Sequence, residues 1–428
     1  MKTKIFLMTV VLFLTLNVSA QKKLWTFQQC VDTALANNRN VKQQGLAKQI
    51  KAIAYDQARM NLLPNLNASA NQSWNFGRSV NEYYATKNAT SVGISSELTL
   101  FDGLKMKYNI DARKTEMQLS DASLEKIKQD IIKNVAASFL QILLNKELLQ
   151  IANDQLVLTK SKIDLRRALV ASGKLAEGEM YEILAQESKE VLNYTQAENT
   201  LKLSLLDLAQ ILEIDYFEDI EIVTPEYLSV SELELLSANL VYESALVNRP
   251  EIKVAGYKLQ NSERNVLINK ADLYPYLSIG AQSGTGYYNA NGADSFNKQF
   301  SDNFKTSIGL NLRIPIFNKF EVTNRVKSAK IDVESSKLEI ENAKIELKKT
   351  IQQAYFNAVA AKSRWETANK SETASREAFR FANQKYEAGR ATVYELYQAK
   401  SNLTQVLSEQ VQAKYEYLFR IKLLELLK

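Results

Sequence analysis

The stretch VGISSELTLFDGLKMKYN, Val92 to Asn109, changes its period halfway along. Val92, Ile94, Leu98 and Leu100 alternate with Gly93, Ser95, Glu97 and Thr99, the two-residue repeat of a strand with one apolar and one polar face. Directly after Phe101, Asp102 stands where a helix N-cap belongs, and from Leu104 to Ser172 the chain meets neither glycine nor proline. Ile127, Ile131, Val135, Phe139 and Leu143 lay an apolar stripe along that segment. An unbroken helix of this length reaches about 100 Å at 1.5 Å per residue, several times the width of an ordinary domain. A strand therefore runs into a helix too long for a common globular fold.

The passage occurs twice. Ile308, Leu310, Leu312, Ile314 and Ile316 alternate with Ser307, Gly309, Asn311 and Arg313. Asn318 follows Phe317 as the matching N-cap, and Phe320 to Ala388 is again free of glycine and proline, with a stripe of Leu338, Ile345, Ile351, Tyr355 and Val359. Ala34, Leu35, Asn37 and Pro64 recur at one constant spacing as Ala245, Leu246, Asn248 and Pro275. Phe101, Gly173 and Glu179 recur at a slightly larger one as Phe317, Gly389 and Glu395. A repeat of roughly two hundred residues is too long for a solenoid module, so each copy is a structural half with its own helices and strands. The expected organisation is a leader at 1–20 and one unit at 21–428. Its halves span about 24–212 and 236–428 and are joined by a small irregular segment at about 213–235.

Within the first half a helix is expected from Thr26, a plausible N-cap, to Leu63, ending at Pro64. Leu66, Ala68, Ala70, Trp74 and Phe76 then alternate with Asn67, Ser69, Asn71, Ser73 and Asn75. In the second half the helix from about Leu236 to Leu273 contains Asn248-Arg249-Pro250-Glu251, a kink or a fresh helix start. Leu277, Ile279, Ala281 and Tyr287 next alternate with Ser278, Gly280, Gln282 and Gly284, and Pro315 is placed at a strand end or bulge. The polar faces consist almost wholly of Asn, Ser, Gly and Thr, while Trp74, Phe76, Tyr287 and Tyr288 gather at one end. That pattern fits outer-membrane strands with an aromatic girdle, and it also fits a soluble sheet whose apolar face turns to a core. The polar loops at 77–90 and 287–303 are expected on the side opposite the long helices. Those helices break at Gly173 and Gly389, suited to C-caps, and return as helices of about Glu179 to Leu212 and Tyr394 to Leu427.

Composition narrows the function. Lys2 and Lys4, the apolar run Ile5 to Leu16 and Val18-Ser19-Ala20 read as a secretory leader cleaved before Gln21. The run is shorter than a membrane-spanning helix, which takes about 20 residues. No other unbroken apolar run is long enough, so any membrane crossing falls to the strands. The formal charge of +6 is spread among acids at helical spacings, the pattern of solvated helix faces and not of a nucleic-acid surface. Cys30 is the single cysteine, so no intrachain disulfide is possible. It follows Phe27-Gln28-Gln29, an unsuitable context for lipid attachment, and is read as a buried helix residue. Histidine is absent, which removes His-based acid–base chemistry and most zinc and copper sites. With no nucleophile–base pair, ligand cluster or phosphate-binding loop, an enzyme is not expected, nor a cofactor.

The order LLPNL (Leu62 to Leu66), hairpin, ELTLFDG (Glu97 to Gly103), long helix, NRPE (Asn248 to Glu251), LYPYL (Leu273 to Leu277), hairpin, RIPIFNK (Arg313 to Lys319), long helix closely resembles the TolC-type outer-membrane efflux proteins over nearly the whole chain after the leader. The resemblance implies a mainly α fold with β, in which long coiled-coil helices accompany two transmembrane β-hairpins. It implies a homotrimer sharing a twelve-stranded barrel in outer-membrane lipid, continued by an α-helical cylinder in the periplasm, with 213–235 at its equator. The implied function is a passive exit duct of a tripartite efflux or type I secretion system, working with a periplasmic adaptor and an inner-membrane pump. Strand counting agrees independently. Four strands leave two open edges, two chains would close a barrel filled by its own side chains, and three chains leave a lumen.

By the same resemblance the helix turns are the periplasmic tips and the gate. Gly173, Lys174 and Glu179 stand there in the first half, and Tyr386, Gly389, Arg390, Thr392, Glu395 and Gln398 in the second. Gln398 takes a place where the family often has a second acid, Arg390 is displaced from the usual basic position, and Lys174 replaces an apolar residue. The bland reading makes Glu179 and Glu395 first-turn acids and Tyr386 and Tyr394 packing residues. The functional one has Arg390, Glu395, Lys174 and Glu179 hold the tips as an ion-pair network, each exposed pair contributing about 0.2–1 kcal/mol. The competing function is a soluble periplasmic coiled-coil scaffold without channel activity, which would extract without detergent. Drug, metal ion and polypeptide cargoes all remain open.

Overall fold

The structure is a computed structural model and describes residues 23–74, 88–174, 176–215, 220–224, 235–289 and 293–428. The expected leader, Phe76, most of the first polar loop, Pro225, Asn291 and Gly292 lie outside the described residues. In chain order come β1 (Lys23–Trp25), α1 (Phe27–Asn37), α2 (Arg39–Met60), β2 (Asn67–Trp74), β3 (Asn88–Phe101), α3 (Lys105–Ala171) and α4 (Glu177–Leu212). They are followed by β4 (Ile220–Ile222), α5 (Ala238–Asn248), α6 (Pro250–Ala271), β5 (Tyr276–Asn289), α7 (Phe296–Asp302), β6 (Lys305–Arg313), α8 (Glu321–Glu387) and α9 (Val393–Leu427). The two long helices, α3 and α8, have 67 residues each. The chain divides into a sheet unit, 44–123 with 250–343, and a core unit, 1–43 with 124–249 and 344–428; α3 and α8 run from one into the other.

In the sheet unit the strands form one antiparallel sheet in the order β2-β3-β5-β6. Much of its register aligns like with like, although Val92 and Ile94 of the apolar face meet Thr285 and Ser283. Ala68 pairs Ile94, Leu98 pairs Ile279, and Ile279 pairs Leu310; on the other face Ser69 pairs Gly93, Gly93 pairs Gly284, and Ser278 pairs Asn311. A bulge between Thr99 and Phe101 brings Phe101 opposite Leu277, onto the apolar face. Among the described residues the apolar face stays open: Ile308 is 72% exposed, Leu310 69% and Ile94 53%. Trp74 and Tyr287 share the apolar face, whereas Tyr288, expected beside them, pairs Ala89 on the polar face. The register is held by close backbone approach at Gly284, where a Cβ would lie 2.7 Å from the Val92 carbonyl oxygen.

The loop after β5 holds a helix that its polar composition did not suggest. Gln299 of α7 donates to the Tyr288 carbonyl (3.0 Å) and accepts from its N–H (3.1 Å), while Phe296 meets Tyr287 edge-on at 5.1 Å. The long helices also start later than expected. Asp102 does not directly precede α3; Gly103 and Leu104 intervene, both with φ of 68°, and Asp102 reaches past them to accept from the Met106 N–H at 2.8 Å. Asn318 offers its carbonyl, not a side-chain cap, to Glu321 at 3.0 Å, after the left-handed pair Lys319 (φ 53°) and Phe320 (φ 61°). A left-handed pair immediately precedes each long helix. At Gly103 only glycine fits, because a Cβ would meet the Ala271 carbonyl oxygen at 2.6 Å. Beside this turn Asp272 at the end of α6 receives Lys105 at 2.6 Å and Arg325 at 2.8 Å, joining both helix starts.

The core unit has a buried hydrophobic centre built from four helices. Cys30, Val31 and Ala34 of α1 meet Ile131, Val135, Phe139 and Leu143 of α3, Leu208 and Leu212 of α4, and Leu418 of α9. Burial pushes the Cys30 thiol up to about 11. Thr26 caps α1 with a full capping box, as its sequence indicates. The single helix expected to Leu63 is instead broken at Asn38, whose side chain accepts from the N–H groups of Asn40 and Val41 and so starts α2. The equivalent break at Arg249 is visible in sequence because Pro250 opens α6. Within the joining segment, β4 pairs in parallel with β1, Lys23 opposite Ile220. Among the described residues α3 also contains a stretch long and apolar enough, by length and composition alone, to cross a membrane, beside the strands expected to do so. Ile131, Val135, Phe139 and Leu143 are nonetheless buried in the core.

A buried ion pair joins three helices of this unit. Lys400 of α9 donates to Glu190 Oε1 of α4 (2.6 Å) and to Thr159 Oγ1 of α3 (2.6 Å), Thr159 donates to Glu190 Oε2 (2.5 Å), and Gln186 donates to Glu190 Oε1 (2.8 Å). Lys400 also reaches the Gln155 carbonyl at 3.4 Å, so each of its three protons has an acceptor.

Gly284→Val is expected to lower the thermal stability of the detergent-solubilised protein by about 1–3 kcal/mol through overpacking against β3; an unchanged melting temperature contradicts the close approach. Lys400→Met leaves Glu190 buried and unpaired and is expected to cost about 3–5 kcal/mol. The double change Lys400→Met/Glu190→Met should recover most of that loss, and a double variant as unstable as the single one rules out a buried-charge origin.

Candidate functional site

Both helix turns of the core unit are built alike. After α3, Gly173 has φ of 69°; its N–H reaches the Val170 carbonyl (2.9 Å) and the Lys174 N–H reaches Leu169 (3.0 Å). After α8, Gly389 has the same φ, with Gly389 bonded to Tyr386 (2.9 Å) and Arg390 to Lys385 (2.8 Å). These paired bonds are Schellman caps, which satisfy helix-end carbonyls through a left-handed glycine. Nothing lies within 4 Å of a Cβ placed at either glycine, so the backbone angle alone demands it.

The next residues differ between the halves. Thr392 caps α9, its hydroxyl accepting from the Glu395 N–H (3.2 Å) while the Glu395 carboxylate accepts from the Thr392 N–H (2.9 Å). Glu395 is thus held by its own helix end. Ala176 stands at the corresponding place before α4 and has no side-chain cap, and the equivalent Glu179 turns its carboxylate to the Tyr386 hydroxyl, which donates to Oε2 at 3.1 Å. Burial above all pushes the Tyr386 phenol upward, with the neighbouring Glu179 adding to the rise and Arg166 opposing it. A raised phenol keeps its proton and remains a donor to the carboxylate.

Of the sequence-predicted residues, Glu179 and Tyr386 are brought together. Gly173 and Gly389 shape the turns, and Thr392 and Glu395 cap a helix. Gln398 donates to Asn402 one turn along α9, at 3.1 Å. Among the described residues neither Arg390 nor Lys174 has an ion-pair partner within the chain, so the expected Arg390–Glu395 pairing does not form inside one copy.

Arg166 was missed in sequence. It donates to the Tyr386 hydroxyl (3.0 Å), reaches the Glu179 carbonyl (3.5 Å), and lies over the rings of Tyr386 at 5.3 Å and Tyr397 at 5.7 Å. A residue of α3 thereby touches α4, α8 and α9. The available signal was spacing: Leu156, Thr159, Ile163 and Arg166 fall on one buried helical face, and a cation on such a face needs an explanation. One turn away, Lys162 donates to Asn383 at 2.9 Å. Among the described residues no group of His, Cys, Asp and Glu is suited to hold a metal ion.

The sequence profile for outer membrane efflux proteins matches residues 30–212 and 241–426. Toxin and drug export protein A of Aggregatibacter actinomycetemcomitans is 22% identical over 403 residues, covering 90% of this chain and 82% of the relative. Outer membrane protein TolC of Escherichia coli K12 is 20% identical over 370 residues, with coverages of 85% and 74%. The crystal structure of the open state of the MtrE outer membrane channel of Neisseria gonorrhoeae superposes with a TM-score of 0.76 at 20% identity, over 94% of this chain and 88% of that one. A profile match over most of both halves, on a fold shared with solved outer-membrane channels, makes this chain a member of the outer membrane efflux protein family.

Proposed function

We propose that three copies of this chain form an exit duct through the outer membrane, whose periplasmic end is narrowed by the paired helix turns. The carrying observation is a four-stranded sheet with apolar and polar faces both exposed and with β2 and β6 unpaired at its edges. Open edges are excluded from lipid, and three sheets joined edge to edge give twelve strands around a lumen lined by the Asn, Ser, Gly and Thr face. The helices support association with other copies. Leu46, Ile50, Ile53 and Met60 on α2, and Ile331, Leu338 and Ile345 on α8, are exposed at coiled-coil spacings suited to neighbouring helices of other copies.

A channel of this kind supplies a path and no energy, so its partners are an inner-membrane pump and a periplasmic adaptor that reaches the tips. The family is one of outer-membrane efflux proteins, which supports transport over catalysis. The scaffold alternative is disfavoured by the exposed apolar sheet face, which a soluble sheet would cover. Gly173, Lys174 and Glu179, with Tyr386, Gly389, Arg390, Thr392, Glu395 and Gln398, form the proposed gate region. Within it the Tyr386–Glu179 bond is the closing contact.

Native mass measurement in detergent should give a trimer; a folded monomer defeats the barrel, since four strands cannot close alone. Single-channel recording in planar bilayers should show higher conductance for Glu179→Ala than for Glu395→Ala, whose main cost is a weakened cap of about 1 kcal/mol. Equal effects at the two sites would remove the Tyr386–Glu179 bond from the gate.

A further inference from the structure

Two cations near the turns sit against neutral groups. Arg166, 4% exposed, has the Tyr386 hydroxyl, the Glu179 carbonyl and two tyrosine rings around it, and Lys162 has the Asn383 side-chain oxygen and, at 6.0 Å, the Phe379 ring. Among the described residues neither has a carboxylate at ion-pair distance. The acids nearby are otherwise engaged: Glu179 receives Tyr386, Glu190 receives Lys400, Thr159 and Gln186, and Glu387 receives the Asn383 amide at 2.7 Å. Glu182 acts on Tyr386 only at a distance. Burial, and then the charge of Lys400, push the half-buried Lys162 ammonium below its usual range, with Glu387 opposing the fall and Arg166 adding to it. Lys400 is the contrast, a buried cation with a carboxylate and every proton satisfied.

A cation taken out of water without an ion-pair partner raises the free energy of whatever arrangement buries it, and aromatic faces return only part of that cost. Both cations are on α3, and both side-chain acceptors, Asn383 and Tyr386, are on α8. Resting on the duct reading given above, we propose that Arg166 and Lys162 are built-in opening elements of the tip, positioning residues that bias the seam between α3 and α8 toward separation because parting exposes them to water. The Tyr386–Glu179 bond opposes them. Since Arg166 is buried within a single copy, this device does not require a neighbouring chain to complete it.

The sign of the effect is the test. In planar bilayers, the reconstituted full-length protein carrying Arg166→Met should show an open probability lower than wild type by on the order of tenfold, because the closed tip no longer buries a charge. Tyr386→Phe should raise it, and Arg166→Lys, which keeps the charge, should remain near wild type. Lys162→Met provides a second variant of the same expected sign should Arg166→Met fail to assemble. The melting temperature of Arg166→Met trimers in detergent should equal or exceed the wild-type value. Arg166→Met opening more often than wild type makes Arg166 a brace and overturns the proposal, as does an unchanged open probability while Tyr386→Phe still responds. Absence of current from wild type and every variant overturns the duct reading, and this inference with it.

Discussion

The backbone groups along the free edges of β2 and β6 govern the rest of the molecule. Water satisfies such groups in a soluble protein, whereas hydrocarbon offers no partner, and each unsatisfied group there costs several kcal/mol. One chain cannot meet that requirement with four strands. In the proposed trimer other copies would meet that demand, and the exposed apolar face and exposed helix stripes fit such an assembly. The left-handed pairs Gly103-Leu104 and Lys319-Phe320 stand directly before the two long helices, the first of them separated by one residue from the end of β3.

Further along those helices the polar interior has two kinds of contact. Lys400, Glu190 and Thr159 form a closed set in which charge and hydrogen bonds balance, and it ties α3, α4 and α9 together. Arg166 and Lys162 bind α3 to α8 through neutral acceptors and rings. A balanced buried pair resists separation because each partner would be stranded, whereas a cation on a neutral acceptor gains hydration when its neighbour leaves. The first kind suits a fixed joint and the second a seam.

Much of this fold was legible in the sequence because its signals are long or repeated. The glycine- and proline-free runs, the alternation in four strands and the recurrence of Pro64 as Pro275 survive local noise. What escaped notice was local or tertiary. The break at Asn38 has no proline to announce it, α7 is a short helix held to the end of β5 through Gln299, and β1 and β4 are three residues each. At the candidate site, the turn glycines were readable from the helix breaks and Glu179 from the repeat, while Tyr386 entered only through the family resemblance. The partner of Tyr386 was not legible there, since Glu179 and Glu395 are equivalent by repeat and differ only because Thr392 ties one to its own helix end while Ala176 offers no side-chain cap to the other. Arg166 was hidden by the habit of reading charge as surface; its place on the face of Thr159 and Ile163 marks it as interior.

The capping difference between the halves bears on symmetry. Gly173 and Gly389 share one backbone turn, so the duplicated chain offers two tips of the same shape. Their chemistry differs, one presenting a carboxylate already closed into a cap and the other a carboxylate bridged to a tyrosine. Arranged in the proposed trimer, six tips of equal geometry would alternate between two chemical kinds, so the ring is pseudo-sixfold in outline and threefold in bonding. A partner ring of six identical subunits would meet two classes of seat in alternation, and equal occupation of all six would require each subunit to accept both.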